Sequence, residues 1–156
     1  MKGGRRLGLL AAFIASGALG APLARAASCS FMSVTGPAFG AYDVFNPAAT
    51  DSAGNVAYSC TGGAMVTIAL SLGNGPTFSP RHLQRAGGSL LAYNLYLDAG
   101  HTMIWGDGTG ASLTSPAVAP ADNAVVMVPI FASIPAHQDV PVGGPYSDTI
   151  MVTLNF

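Results

Sequence analysis

Alternation of apolar and polar residues constrains the fold of this chain more than any other feature of its sequence. Apolar side chains occupy every second position from Val66 to Leu72 and again from Ile150 to Phe156. Two further runs alternate in the same way, from Val56 to Cys60 and from Leu91 to Leu97. Because successive side chains of a β-strand point to opposite faces of a sheet, this period of two predicts strands with one face against a core.

Turn-forming residues separate these runs, and no amphipathic helix pattern is found after residue 26. The turn-rich pieces are Gly73 to Pro76, Gly87-Gly88, Gly106 to Gly110, Pro116 to Asn123 and Gly143 to Pro145. The run from Val125 to Phe131 is more continuously apolar, which predicts a strand covered on both faces, with Pro129 at an edge or a bulge. Several short strands with this punctuation predict one all-β domain, either a sandwich or a barrel.

The N-terminal residues have the layout of a secretory signal peptide. Lys2, Arg5 and Arg6 precede an uncharged stretch from Leu7 to Leu19, and Ala24-Arg25-Ala26 is a small-x-small cleavage site. This layout predicts a signal peptide over residues 1–26, removed during Sec-dependent export. A single mature domain would then span residues 27–156.

The predicted mature chain is acidic. It keeps two arginines, Arg81 and Arg85, and seven aspartates, with no Lys and no Glu, so its net charge is −5. A chain without a basic patch is not expected to bind nucleic acid, and neither contact with anionic membrane surfaces nor membrane insertion is expected. We expect the two arginines to pair with aspartates.

Two cysteines, Cys29 and Cys60, remain after residue 26. In an oxidising compartment, where disulfides persist, these two permit one intramolecular pairing. Zinc would require about four ligands, and no further Cys is nearby. The sequence therefore predicts a structural disulfide between Cys29 and Cys60, and no cofactor.

Several segments in order along the chain resemble one known family. They are the early Cys29, Ala38 to Asp43, Tyr58 to Gly63, Phe78 to Arg81, Leu91 to Asp98, Ile104 to Gly110, Ile134 to Ala136 with Gln138-Asp139, and Tyr146 to Phe156. In these segments the chain resembles the spore coat protein U domain family, which includes subunits of archaic, Csu-type chaperone–usher pili. The resemblance covers nearly the whole predicted mature chain.

The resemblance implies an immunoglobulin-like β-sandwich that lacks one strand, which a partner supplies. The implied partners are a periplasmic pilus chaperone, an outer-membrane usher and a neighbouring pilus subunit, with the final location at the cell surface or fimbrium. The missing strand would leave an apolar groove. The residues expected to flank it are Phe31 and Val34 on one side, and Ile150, Val152, Leu154 and Phe156 on the other. For each of them, ordinary core packing is the alternative.

The resemblance also suggests a position in an assembly. Polymerising subunits of this kind donate an N-terminal strand, and cleavage after Ala26 would leave Ala27 and Ser28 before Cys29. A useful strand needs about five residues. The chain is therefore expected to accept a strand without donating one, as a tip or minor subunit or as a coat protein outside a fibre.

Candidate catalytic and metal-binding motifs are weak. The loop from Gly106 to Gly110 lacks the Lys of a phosphate-binding loop and the carboxylates of a calcium loop, so a tight turn is expected. His82, His101 and His137 have no metal-ligand spacing, and there is no Gly-x-Ser-x-Gly elbow. We predict neither a catalytic nor a metal site, and no enzymatic activity.

Three alternatives stay open from the residues alone. Trp105, with Tyr93 and Tyr96, could form an aromatic platform for a sugar, although such residues also serve as core packing. The domain could be a self-complete coat or ligand-binding module. A small outer-membrane barrel would need strands of about 9–11 residues, longer than most runs here.

Overall fold

The computed structural model describes residues 26–156 of the chain, so the predicted signal peptide, apart from Ala26, lies outside the described residues. This part of the chain forms eight strands and no helix. The strands are β1 (Ser28–Thr35), β2 (Thr50–Thr61), β3 (Thr67–Leu70), β4 (Arg81–Arg85), β5 (Leu90–Tyr96), β6 (Val125–Ile134), β7 (Tyr146–Ser147) and β8 (Val152–Asn155). Residues 26–156 contain no helix that is long and apolar enough to cross a membrane.

The strands form two sheets. The large sheet has the order β1-β2-β6-β5-β4-β7, and the small sheet consists of β3 and β8. Every pairing between these strands is antiparallel. The core lies between the sheets, with Trp105 fully buried and its indole N–H donating a 3.0 Å hydrogen bond to the Ile68 carbonyl.

The strand order is that of an immunoglobulin-like sandwich. Constant-type immunoglobulin domains place strands A, B, E and D in one sheet and C, F and G in the other. Within the large sheet, β1, β2, β6 and β5 occupy the A, B, E and D positions in that order, and β3 and β8 of the small sheet occupy C and F. Within residues 26–156, no strand occupies the G position beside β8. The all-β, immunoglobulin-like fold is confirmed.

The burial pattern confirms the alternation in most strands. In β3, Ile68 and Leu70 are buried while Thr67 and Ala69 between them are partly exposed. In β6, however, Val125 and Met127 are 56% and 65% exposed. The prediction that this strand is covered on both faces is therefore wrong. From Val125 to Pro129 every second residue is exposed, and consecutive buried residues occur only at the end of the strand, from Ala132 to Ile134.

Pro129 lies in the interior of β6, a central strand, and neither at the sheet edge nor at the bulge that its missing N–H led us to expect, since the register between β2 and β6 is unbroken. Its partner in β2 is Asn55. On the other side, β5 pairs only with residues 131–133 of β6. By antiparallel alternation the nitrogen of Pro129 points to that unpaired side, where no ladder hydrogen bond is lost.

The predicted disulfide is confirmed. Cys29 in β1 lies directly opposite Cys60 in β2, with the two Cα atoms 4.1 Å apart. The bond joins the start of β1 to the end of β2. It therefore secures the edge strand whose other side is unpaired among the described residues.

Candidate functional site

An apolar groove of about 900 Å³ opens between the two sheets. Its floor is formed by inward side chains of the large sheet and by one residue of β3. These residues are Leu83, Leu91, Leu95, Ile130, Ile134 and Leu70. One wall comes from residues 34–44, which are the end of β1 and the segment after it. The other comes from residues 140–152, which end at the first residue of β8.

The β1 wall depends on a bulge. Phe31 is paired with Tyr58 and Val34 with Val56, and the register shifts between them at Met32. Residues three apart on a regular strand would point to opposite faces, but one extra residue places both on the same face. Because Tyr58 and Val56 are buried, Phe31 and Val34 both lie on the core face of β1.

The β8 wall has an unpaired edge. Val152 and Leu154 lie opposite Leu70 and Ile68 of β3, so their side chains share the core face. The Ser71 N–H donates to the Met151 carbonyl at 2.9 Å, whereas the Leu70 N–H turns away to the Gly106 carbonyl. Since antiparallel backbone groups alternate in direction, those of Val152 and Leu154 point away from β3, to the side where β8 has no partner among residues 26–156.

The six residues expected at the groove fall into two groups. Val34, Ile150 and Val152 line it. Leu154 packs partly against the core but lies outside the lining. Phe31 and Phe156 also lie outside the lining and are 41% and 58% exposed. Contact of any of these residues with a partner strand stays a prediction.

A polar contact lies in the wall beside β8. The Tyr93 hydroxyl donates a 2.6 Å hydrogen bond to Asp148 Oδ2. Asp148 Oδ1 accepts two more, from the N–H groups of Asn74 and Thr149, each at 2.7 Å. Burial, together with the bond to Asp148, raises the pKa of Tyr93 far above its usual value. The segment before β8 is thereby fixed to the large sheet.

The two arginines do not pair with aspartates, contrary to expectation. Arg81 is fully buried and donates to Asn94 Oδ1 at 3.1 Å and to the carbonyls of Ser71 and Trp105 at 3.0 and 2.8 Å. Burial lowers its pKa. Arg85 donates to two carbonyls of residues 141–142. These carbonyl oxygens accept hydrogen bonds from the guanidinium groups in place of backbone N–H groups of a neighbouring strand.

Comparison with models of known protein families identifies the family of this chain. The model for the Spore Coat Protein U domain matches residues 15–153. The chain belongs to the Spore Coat Protein U domain family. The match begins inside the predicted signal peptide.

Two relatives accompany this assignment. The chain is 27% identical to Protein U of Myxococcus xanthus over 135 residues, which is 76% of this chain and 70% of that protein. Its fold is similar to the crystal structure of the CsuC–CsuE chaperone–tip adhesion subunit pre-assembly complex from archaic chaperone–usher Csu pili of Acinetobacter baumannii. There the TM-score is 0.53 and the identity 16%, over 84% of this chain. The matched region spans 40% of that chain's length.

Sequence reasoning missed a second part of the groove of this Spore Coat Protein U domain. Residues 36–44 form much of one wall. Within them, the Phe39 ring meets the Tyr93 ring edge-on at 6.0 Å, and the Tyr42 hydroxyl donates to the Pro135 carbonyl at 2.7 Å. The segment lacks period-two alternation, so the residues alone predicted no role for it. The family resemblance included Ala38 to Asp43 but did not place them at the groove.

The aromatic and loop motifs have structural roles. Trp105 and Tyr93 are 0% and 4% exposed, so they pack in the core and present no platform to a sugar. In the Gly106 to Gly110 loop, Asp107 accepts hydrogen bonds from the Thr109 N–H and hydroxyl, as in a tight turn. Across residues 26–156, no three His, Cys, Asp or Glu side chains lie close enough to hold a metal ion.

Proposed function

We propose that this Spore Coat Protein U domain protein is an exported, non-enzymatic subunit of a chaperone–usher pilus or surface coat. One observation carries the proposal: β8, in the F position, has an edge without a partner strand among residues 26–156, and this edge borders an open apolar groove whose opposite wall begins at Val34 of β1. In this proposal a partner supplies the strand that fills the groove.

The physical chemistry of the groove supports strand addition. Outward-pointing backbone groups of Val152 and Leu154 would receive the hydrogen bonds of an added strand. Its alternate side chains would cover the apolar floor of the groove. Burying apolar surface in this way stabilises the complex by about 25 cal/mol per Å². Left empty, an open sheet edge beside apolar surface promotes aggregation.

The proposed partners follow the order of export. After Sec-dependent export to the periplasm, a periplasmic chaperone would fill the groove first, and an outer-membrane usher would then exchange it for a neighbouring subunit at the cell surface. The fold's similarity to a chaperone–subunit pre-assembly complex supports this order.

We further propose a tip or minor position. Processing after Ala26 would leave Ala27 alone before β1, since Ser28 is already paired with Thr61. Such a chain accepts a strand but has none to donate, so it would end a fibre. Antibody labelling distributed along the fibre shaft would contradict this position.

A second function has its own support. The description of the family, the Spore Coat Protein U domain, favours a coat protein, which could complete its sandwich without a partner. The two functions differ in one property, the stability of the isolated chain.

The test is periplasmic expression of the full chain with and without its cognate chaperone, scored by soluble yield and by the mass of the purified species. A soluble product obtained only as a one-to-one complex is expected. A monomer that is soluble and thermally stable alone would refute strand acceptance and favour the coat protein.

A further inference from the structure

We propose that Asn74 and Gly75 form a modification site, at which the side chain of Asn74 loses ammonia by ring closure onto the Gly75 nitrogen, with the imidazole of His82 as the base. The product is an aspartyl or isoaspartyl residue at position 74. This modification is independent of the strand-accepting role, because it needs only the chain itself and water.

The turn that holds Asn74 and Gly75 leaves both reacting groups free. Asn74 is exposed, and neither its side-chain amide nor the Gly75 N–H has a hydrogen-bond partner among residues 26–156. Gly75 has no side chain to hinder ring closure, and a glycine backbone adopts more conformations than that of any other residue. The Gly75 nitrogen is therefore available to the side-chain carbonyl carbon of Asn74.

The side chain of His82, in β4, supplies the base. A Cβ atom added to Gly75 would lie 3.4 Å from His82 Nδ1, so the imidazole packs directly against Gly75. His82 Nδ1 is buried and has no hydrogen-bond partner in the part of the chain that the structure describes. In the neutral imidazole with its proton on Nε2, Nδ1 has a free lone pair and accepts a proton. This placement lets His82 remove the Gly75 N–H proton, directly or through one water molecule.

The reaction consumes one water molecule and releases one ammonia. The Gly75 N–H proton passes to His82 Nδ1, and the Gly75 nitrogen attacks the side-chain carbonyl carbon of Asn74. The bond from that carbon to the side-chain nitrogen breaks, and this nitrogen takes the proton from the imidazolium and leaves as ammonia. Water then opens the cyclic imide at either carbonyl carbon. Its hydroxyl stays on that carbon, and its remaining hydrogen returns to the Gly75 nitrogen.

The modification acts on one wall of the groove. The Asn74 N–H donates to Asp148 Oδ1 at 2.7 Å, and Asp148 is joined to the large sheet by the Tyr93 hydroxyl. A carboxylate formed at position 74 has the same charge as Asp148 and repels it. An isoaspartyl linkage also adds a carbon atom to the backbone next to this hydrogen bond. Both products therefore weaken the link between this turn and the segment before β8.

Peptide mapping by mass spectrometry measures the reaction. The full chain, processed in the periplasm, is incubated in neutral buffer, and conversion of the amide at position 74 to an acid is followed with time. Enzymatic methylation of isoaspartyl groups distinguishes the two products. Asn123 is the control within the same chain. It is also exposed, but the N–H of the next residue, Ala124, donates to the Ala121 carbonyl at 2.9 Å.

We expect Asn74 to lose its amide while Asn123 keeps it. His82→Gln removes the base and should slow the loss at least about tenfold, because a positioned base contributes about 100-fold or more in enzymes. In urea, where the imidazole is no longer held beside Gly75, the natural chain and His82→Gln should react at the same rate. The modified chain should unfold at a lower urea concentration than Asn74→Gln, whose longer side chain forms the ring less readily.

Three outcomes would overturn the proposal. The first is retention of the Asn74 amide in the folded chain while the chain in urea loses it. The second is an equal rate for the folded natural chain and folded His82→Gln, since the site would then be an ordinary Asn-Gly pair. If His82→Gln does not fold, the natural chain alone decides. It should lose the amide faster when folded than in urea, and a slower loss would contradict the role of His82.

Discussion

The Tyr93 hydroxyl and the Asp148 carboxylate are joined by a 2.6 Å hydrogen bond that links β5 of the large sheet to the segment before β8. Asp148 also packs against Gly73, where a Cβ atom would collide with its carboxylate. Three segments distant in the chain thus meet at one wall of the groove. The two sheets are held in place there although no strand occupies the gap between β1 and β8 in the described part of the chain.

Removing the Tyr93 hydroxyl tests this link. Tyr93→Phe should lower the free energy of unfolding by about 1.5–3 kcal/mol, because a hydrogen bond to a charged acceptor is lost in a largely buried place. Tyr146→Phe is the matched control, since its hydroxyl donates to the exposed Pro141 carbonyl, and it should cost less than about 1 kcal/mol. Urea unfolding of the periplasmic preparations measures both. Equal losses would mean that the bond to Asp148 has no special role.

Replacing Arg81, which is buried, should lower the stability of the protein more than replacing Arg85. Arg81→Lys cannot reproduce the planar contacts to Asn94, Ser71 and Trp105 or the stacking 5.0 Å above Phe78. We expect a loss of about 2–4 kcal/mol. Arg85 is only partly buried and donates to the exposed carbonyls of residues 141–142, so Arg85→Lys should cost about 1 kcal/mol or less. Thermal unfolding followed by circular dichroism distinguishes them, and a tolerated Arg81→Lys would contradict the structural role.

The disulfide should make a large contribution to stability. Cys29 and Cys60 are separated by 31 positions, and closing a loop of that length is worth about 3–4 kcal/mol in the chain-entropy model. The Cys29→Ala/Cys60→Ala double variant should therefore unfold at a much lower urea concentration. Treating the natural chain with a reductant should reproduce the effect and should leave the double variant unchanged. A double variant as stable as the natural chain would contradict the prediction.

A charge on the inner face of β1 should prevent strand binding. Val34→Asp places a carboxylate in the apolar groove, where an unpaired charge costs several kcal/mol. Recovery of a partner-bound complex should fall at least about tenfold. Met32→Asp puts the same charge on the bulge residue of the same strand, which is 60% exposed and lies outside the groove lining, and it should have little effect. Pull-down with the chaperone compares the two. Similar recovery of both variants would argue against strand binding beside Val34.

Gly54 should tolerate no side chain. A Cβ atom there would collide with the Thr35 carbonyl, at the point where the chain leaves β1 to form the groove wall. Gly54→Ala should cost about 1–3 kcal/mol, in the range of overpacking. Gly36→Ala has open space around it and should be neutral or slightly stabilising. Differential scanning fluorimetry on both variants is sufficient, and a stable Gly54→Ala protein would contradict the packing shown here.

The period-two pattern and the two cysteines carried most of the fold prediction. In the runs around Ile68 and Leu95, the alternation predicted which side chains point into the core, because the apolar residues there lie two positions apart. The pairing of Cys29 with Cys60 followed from their being the sole pair left for an oxidising compartment. These properties depend on composition and local spacing, which a sequence shows directly.

The groove itself was decided by tertiary structure. The bulge at Met32 brings Phe31 and Val34 to one face, yet only Val34 lines the groove. The arginines bind carbonyl oxygens and amides whose positions depend on how distant loops end, so spacing could not reveal their partners. The sequence by itself determined the strands that alternate, around Tyr58, Ile68, Leu95 and Leu154, and their apolar faces, but it did not show β4 or β7. Only the packing of the two sheets decided which edge stays open, because an unpaired edge depends on the neighbours of a strand and not on its own residues.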